Sequence, residues 1–456
     1  RPDSRPSDLR RLIAATLSSV LPGLGQAANV RVRPAIGFAA PTAIVLLLTW
    51  LIAHADSPAM LLARAITPAI LSLLLVLNVA ILAWRLLALL QAFLDRRYPR
   101  RPGRLGAAGL VVLLAFTIVP HVLAWNAGTA AQQTFARIFS GSAVRSVSAA
   151  PLPSDTERLN VLLIGVDSAP GRTEALTDSL IVVSLDPVGR TVSMVSIPRD
   201  LAGVPLGNGN TFAPKINSLV SYADRHPAEF PGGGIATLER AVGALFGIPI
   251  HAYATVDLAG FVTMVDAVGG VDIDVRKPLA DPKYPRLDGR RGWSVEPGRH
   301  HFDGTDALAY ARIRKAVGES DLTRAARQQE VLVALRNGVA NAGILFRLPS
   351  LLAAVGTTVH TDLPADRLPQ LAALAEQIGG ASTVKVVLTS PQIKAASSAK
   401  YGSIFLPVAT RIAQLAKVVF GLPGADPTWP VGSRPAPSAS GGPGSGAQRV
   451  TSSGAP

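Results

Sequence analysis

The chain has 456 residues, 44 Lys and Arg against 30 Asp and Glu, a formal net charge of +14, and no cysteine. That length allows one large domain with appended segments, or two domains of ordinary size. Without cysteine, disulfides, thiolate catalysis and Cys-based zinc or iron–sulfur sites are excluded, so any exported part of the chain depends on its core alone.

Residues 8–30 place Leu9, Leu12, Ile13, Leu17, Val20 and Leu21 ahead of Pro22-Gly23-Leu24-Gly25. This pattern predicts a short amphipathic helix at the inner membrane surface or a partial re-entrant segment. Three apolar stretches follow, at 34–54, 67–93 and 105–125, each close to the roughly 20 residues needed to cross a bilayer. The second carries no charge from Thr67 to Trp84, too long an uncharged run for a soluble core helix. The first contains Pro41, which membrane helices tolerate, and closes on His54 and Asp56.

Arginines set the orientation. Arg1, Arg5, Arg10, Arg11, Arg31 and Arg33 precede the first span, and Arg96, Arg97, Arg100, Arg101 and Arg104 separate the second from the third. The loop 55–66 holds only Arg64. The positive-inside rule then predicts a multi-pass protein with residues 1–33 in the cytoplasm, spans within 34–125, and everything after about residue 126 outside the cytoplasm. Long spans in succession, with no small-residue cleavage site after the first, argue against a cleavable leader. Much of the positive charge is thereby consumed at the membrane surface. No helix-turn-helix, zinc-finger or aromatic RNA-binding pattern stands beside the rest, so nucleic acid is not expected as a partner.

Residues 126–158 turn small and polar and predict a juxtamembrane stalk. A globular domain is expected over 159–424. Its strand candidates are Leu159–Asp167, Leu180–Leu185, Thr191–Pro198 and Gly269–Val275, with a hairpin turn at Asp186-Pro187-Val188-Gly189. Residues 234–246, 257–267 and 321–339 have helical spacing. Interleaved strands and helices predict a three-layer α/β fold. Residues 425–456, dominated by Pro, Gly, Ser and Ala, are expected to be a disordered tail.

The chemistry concentrates in arginines. Arg199 lies in Ser196-Ile197-Pro198-Arg199-Asp200. Arg312 and Arg314 would share a face on a strand, as bidentate clamping of adjacent phosphates requires, but would diverge on a helix. Arg324 and Arg327 share a helix face, with Asp321 placed to cap the first turn; taken alone that pair reads equally well as a solvated, ion-paired face. Lys215 and Asn217 add polar groups. Asp167 and Asp178 adjoin strand candidates and offer oxygen ligands to a hard divalent cation, although an aspartate at a strand end is more often a turn-former. Gly232-Gly233-Gly234 lacks the Gly-Lys-Ser/Thr of a phosphate loop and predicts a flexible lead-in to a helix. His300 and His301 have no ligand-spaced partner, and no Gly-x-Ser-x-Gly supports a hydrolase nucleophile.

Residues 160–330 resemble the catalytic domain of the LytR-CpsA-Psr family of cell-wall phosphotransferases. The resemblance rests on Asn160–Ser168, Thr177-Asp178-Ser179, Ser196–Asp200, Lys215-Ile216-Asn217, Val268–Val275, Ala307–Arg314 and Asp321–Gln328, in order and at matching spacing. It implies transfer of a glycopolymer from a polyprenyl diphosphate carrier to peptidoglycan through a phosphodiester. By motif, Asp167 and Asp178 would hold Mg²⁺, while Arg199, Arg312, Arg314, Arg324, Arg327 and Gln328, with Lys215, would bind the diphosphate. Arg199, Arg312, Arg314 and Asp178 would form the catalytic set, and the isoprenoid would lie in an apolar groove. Leu176 stands where the family usually has an arginine, and Arg172 is the nearby cation that could replace it. The three-span N-terminal region is a second departure. Asp200 is the general-base candidate by proximity alone, or it orients Arg199. The resemblance leaves the polymer open between arabinogalactan, teichoic acid and capsule. A lipid diphosphatase and a non-catalytic envelope regulator are the alternatives.

Overall fold

The computed structural model describes residues 7–96, 101–139, 152–154, 157–167, 176–314, 316, 318–340, 359–377 and 381–426. Arg172 and nearly all of the expected tail lie outside them.

The N-terminal part is helical: α1 (Ser7–Val20), α2 (Leu24–Ala28), α3 (Val32–Ala55), α4 (Pro58–Ala65), α5 (Pro68–Phe93) and α6 (Arg104–Ile138). By length and composition α3, α5 and α6 can each cross a membrane. α3 buries none of its residues, and Leu46, Leu51, Val111 and Phe116 stand exposed on α3 and α6. A surface so apolar marks these helices as membrane anchors. Pro41 and Pro120 sit inside α3 and α6. The third span, expected at 105–125, belongs to a helix that continues to Ile138, so the first part of the expected stalk is helical.

The remainder is a mixed α/β domain. Its strands are β1 (Leu159–Asp167), β2 (Leu176–Asp186), β3 (Thr191–Ile197), β4 (Ala202–Pro205), β5 (Thr211–Lys215), β6 (Ala252–Asp257), β7 (Val271–Val275), β8 (Leu279–Pro285), β9 (Arg291–Val295), β10 (Gly298–Phe302), β11 (Val359–Thr361), β12 (Ser382–Val387), β13 (Ile393–Ser398) and β14 (Gly402–Pro407). The helices are α7 (Leu219–Arg225), α8 (Gly233–Phe246), α9 (Leu258–Val268), α10 (Gly304–Arg312), α11 (Asp321–Ala340), α12 (Leu368–Gln377) and α13 (Ala409–Phe420). The central sheet runs β11-β6-β1-β2-β3-β12. β1 pairs antiparallel with β2 and parallel with β6, and β3 pairs antiparallel with β2 and parallel with β12.

Alternation along the strands explains the layers. Leu162, Ile164, Leu180, Val182 and Val195 face α8 and α13, meeting Leu238, Val242, Ile412 and Val419. Ile181, Val192 and Met194 face the other way, with Leu163, onto Leu332 and Val333 of α11 and Leu374 of α12. Each such side chain, fully buried, contributes about 1.5–3 kcal/mol. The sheet is thus covered on both faces, the arrangement expected for a three-layer fold.

α9, α10 and α11 enclose a second core with the β7/β10 and β8/β9 pairs, built from Val265, Ile273, Trp293, Phe302, Tyr310 and Val331. Gly304 opens α10 where any Cβ would come 2.2 Å from the Val262 carbonyl oxygen, so only glycine lets α10 approach α9 this closely. Of the two conformations open to Arg312 and Arg314, neither holds throughout: Arg312 closes α10, and Ile313, with ψ 132, turns the chain into extended backbone before Arg314. Asp321 does not cap α11. Ser320 Oγ accepts the Thr323 N–H at 3.2 Å, leaving Asp321 for ion pairs. Gly232 and Gly233 do lead into α8 as expected.

Candidate active site

One bulge shapes the site. β1 and β2 pair in register as far as Gly165↔Ser179, then shift to Val166↔Thr177, so Asp178 is an extra residue on β2. A bulge re-aims a side chain, and here Asp178 and Ser179 both line the cleft that Asp167 reaches from the end of β1.

The cleft has a volume of about 650 Å³ and two kinds of lining. Leu163 and Ile181 of the sheet, Phe261 and Met264 of α9, and Leu332 and Leu335 of α11 make its apolar part. Arg199, Arg312, Arg314 and Arg324 line it with Asp167, Asp178 and Gln328. Arg312 Nη2 lies 3.2 Å from Asp167 Oδ2, whose residue is only 4% exposed. Arg199 Nη1 donates to Asp178 Oδ1 at 3.0 Å, and its Nε is 3.9 Å from Asp321 Oδ2. Arg324 Nη1 is 3.2 Å from Asp321 Oδ1. Arg314 is exposed and has no ion pair among the described residues.

The electrostatics of these arginines differ. Burial works against the charge of Arg199, and the carboxylates of Asp321, Asp178 and Asp200 more than offset it, holding its pKa above the ordinary value. Burial dominates at Arg324 and pushes its pKa down; Asp321 opposes, while Arg199 and Arg314 add repulsion. Four arginines present forked donors to one cleft, the geometry that phosphate oxygens accept.

Two expected ligands are placed elsewhere. Arg327, 6% exposed, turns beneath the cleft: Nη1 donates to the Tyr310 carbonyl at 2.7 Å, and Nη2 to the Ile313 carbonyl and to Glu319 Oε2 at 2.8 Å. It fixes the exit of α10 and thereby the aim of Arg312 and Arg314. Lys215 pairs with Asp200 at 3.0 Å, away from the cleft lining. Asp200 is likewise absent from the cleft lining, and its carboxylate acts on Arg199 through charge while pairing with Lys215. Gln328 lines the cleft and accepts from Ser179 Oγ at 2.9 Å.

Sequence reasoning missed Tyr284 and Lys283, which reach the cleft from β8. Burial raises the Tyr284 pKa, and the adjacent Arg312 opposes that rise. Nothing in the local sequence of the hairpin signals this. Ser179 and Asp321 did have a signal, since both lie inside recognised motifs.

Asp167 and Asp178 present oxygen donors to one cleft, and no group of three or more His, Asp or Glu accompanies them among the described residues. Two carboxylates fit Mg²⁺, which keeps waters and substrate oxygens in the rest of its shell. Each already faces an arginine, so an incoming cation would share or replace that partner.

The chain is similar to the Bacillus subtilis protein named polyisoprenyl-teichoic acid–peptidoglycan teichoic acid transferase TagV, 32% identical over 228 residues, 50% of this chain and 54% of that protein. TagU of Halalkalibacterium halodurans, named for the same transfer, is 30% identical over 219 residues, covering 48% of this chain and 65% of TagU. The chain therefore spans between about half and two thirds of the length of these relatives. The crystal structure of B. subtilis TagV aligns with a TM-score of 0.46 at 27% identity, over 58% of this chain and 98% of that one. The LytR_cpsA_psr family matches residues 123–417, well over half of the sequence and all of the cleft, and this chain belongs to that family.

Proposed function

We propose that the protein is a membrane-anchored phosphotransferase that moves a glycopolymer from a polyprenyl diphosphate carrier onto peptidoglycan. The observation that carries this reading is the cleft itself: arginines gathered on one apolar cavity match a diphosphate attached to a long hydrocarbon. The names of its relatives favour a teichoic-acid-type polymer among the possible cargoes.

Arg199, Arg312, Arg314 and Arg324 bind the diphosphate, exchanging contacts with Asp178, Asp167 and Asp321 for phosphate oxygens. A hydroxyl of the acceptor attacks the phosphorus attached to the glycan, and its proton passes through solvent to the departing phosphate. The bond from that phosphorus to the bridging oxygen breaks, and polyprenyl phosphate leaves with the electron pair. Charge neutralisation and alignment supply most of the catalysis in such a transfer. Asp167 and Asp178 would hold Mg²⁺, which adds positive charge beside the diphosphate. The Leu163, Ile181 and Leu332 wall holds the isoprenoid and excludes water. The helices α3, α5 and α6 keep the domain at the membrane where its lipid donor resides, and the arginine bias supports an orientation with the catalytic domain outside the cytoplasm.

Mass spectrometry of lipid co-purifying with the full chain tests the reading. A polyprenyl phosphate or diphosphate is expected, and its loss in Arg312→Ala would tie it to the cleft. Only bulk phospholipid in both preparations would contradict it. Protease protection of residues 159–424 in intact cells would overturn the exported orientation.

A further inference from the structure

The segment before the first span is amphipathic in reverse. On α1 and α2 several polar side chains are buried, with Ser18 and Gln26 each 0% exposed and Arg11 3%, while Arg10 and Thr16 remain exposed. The large apolar ones mostly point outward, with Leu9 61%, Ile13 49% and Val20 67% exposed, while Ala14, Ala15 and Leu12 pack inward. Water selects the opposite pattern. Hydrocarbon selects this one, because polar groups there must find partners inside the protein.

The partners also give the depth. Asp8 accepts the N–H groups of Gly103 and Gly106 at the start of α6, at 3.1 and 3.2 Å. Arg11 Nη1 reaches the Phe93 carbonyl at the end of α5, at 3.2 Å. Further on, Arg85 of α5 donates to the Ser19 carbonyl in the last turn of α1. The chain then turns back: Gln26 Nε2 donates to the Ala88 carbonyl at 2.8 Å, Asn29 Nδ2 to the Ala92 carbonyl at 3.0 Å, and Arg31 Nε lies 3.3 Å from Asp95. From Phe93 to Arg85 the α5 axis covers about 12 Å. Residues 8–31 therefore descend along α5 from one end and return to the same end, where α3 begins.

The return requires close packing. A Cβ on Gly25 would lie 1.9 Å from the Ala14 carbonyl oxygen, so only glycine lets α2 fold against α1. The last carbonyls of α1 are deprived of helical partners at the tip, and the Arg85 guanidinium both donates to one and meets the negative end of the helix dipole. Its other nitrogen faces His121 Nε2 at 3.4 Å on α6.

From these observations we infer that residues 7–31 form a re-entrant helical hairpin inserted into the membrane, with bilayer acyl chains covering its outer face and Arg85 latching its tip. Exposed apolar residues run on along the chain from Leu24 through Val30 and Val32 to Ile36 of the membrane-spanning α3, which argues for lipid as the occupant. This places residues 7–31 within the membrane rather than in a free cytoplasmic segment.

The natural absence of cysteine provides the test background. Single Val20→Cys and Leu24→Cys variants of the full chain, with Pro102→Cys as the aqueous control, are reconstituted in vesicles. Each is probed with a membrane-impermeant maleimide and, after spin-labelling, with oxygen and an aqueous nickel chelate as relaxants. The inference expects Val20→Cys and Leu24→Cys to react at least tenfold more slowly than the control and to favour oxygen strongly over nickel. Control-like reaction would put the segment in water and overturn it. Protection from both relaxants would mean a protein cover and would overturn the lipid assignment. Adding Arg85→Leu should restore rapid Val20→Cys labelling, with Arg85→Lys intermediate; unchanged protection would refute the latch.

Discussion

Arg199, Arg312 and Arg324 in the cleft pair with carboxylates, whereas Arg11, Arg85 and Arg327 donate to main-chain carbonyls, Arg327 holding two of them besides the Glu319 carboxylate. On the proposed reading, the difference separates ligand binding from scaffolding. A carboxylate pair can open and hand its arginine to a phosphate, because the new partner has like charge and matching fork geometry. A carbonyl fixed in a helix end or loop cannot be exchanged without loss of local structure. Arginines of one motif, Arg324 and Arg327, fall on opposite sides of this divide.

The largest effect should come from breaking the scaffold. Arg327→Ala leaves the Tyr310 and Ile313 carbonyls without their donor and the buried Glu319 carboxylate with Lys277 alone of its two cations. A cost of about 3–5 kcal/mol, roughly 10 °C in Tm, is expected from thermal unfolding of the full chain in nanodiscs. Lysine should not rescue it, since one ammonium cannot reproduce the fork. A Tm within about 1 °C of wild type would erase the distinction drawn above.

Arg312→Ala and Arg314→Ala should behave oppositely, losing about 1.5–3 kcal/mol of transition-state binding, or more, with Tm little changed. Transfer rates and unfolding curves on the same preparations check this, and wild-type turnover in both variants would remove the diphosphate clamp. EDTA should stop the wild-type enzyme, and Asp167→Asn or Asp178→Asn should weaken its Mg²⁺ dependence.

A smaller effect is expected at Arg172. If it compensates for Leu176, Arg172→Ala lowers turnover several-fold and Leu176→Arg restores part of it. Equal rates would make Arg172 a bystander.

The smallest is a pH effect on the scaffold. Burial raises the Glu319 pKa, but Lys277, Thr323 and Arg327 outweigh it and hold the carboxyl below its usual value. A depressed folded pKa stabilises above the unfolded pKa and is lost as pH falls through the folded one, so the contribution should fade below about pH 4. Glu319→Gln, compared with wild type by Tm from pH 7 to 3, should start lower and show a shallower acid decline. Parallel curves would remove Glu319 from the linkage.

The periodic elements were legible in the sequence. The uncharged run before Arg85, the apolar β1 and the spacing of α8, α9 and α11 each follow from patterns that burial enforces. The conformation around Arg312 was not, because Ala307-Leu308-Ala309-Tyr310-Ala311 is short and apolar enough for strand or helix, and packing of Gly304 on Val262 decides. Residue type at the site was also easier to read than direction. Spacing put Arg324 and Arg327 on one face, but the long Arg327 side chain reaches under α10 to carbonyls that sequence cannot locate. Lys215 met Asp200 for the same reason, and Tyr284 entered from a hairpin remote in sequence.

The most direct test of the central claim is the product of one reaction. Full chain in nanodiscs is given a polyprenyl diphosphate oligosaccharide, a peptidoglycan fragment and Mg²⁺, and the products are identified by mass spectrometry. The account requires a peptidoglycan–phosphodiester–glycan conjugate formed in equal amount with polyprenyl phosphate, and lost in Arg312→Ala. Glycan phosphate released to water, with no conjugate despite excess acceptor, would contradict transfer and make the cleft that of a diphosphatase.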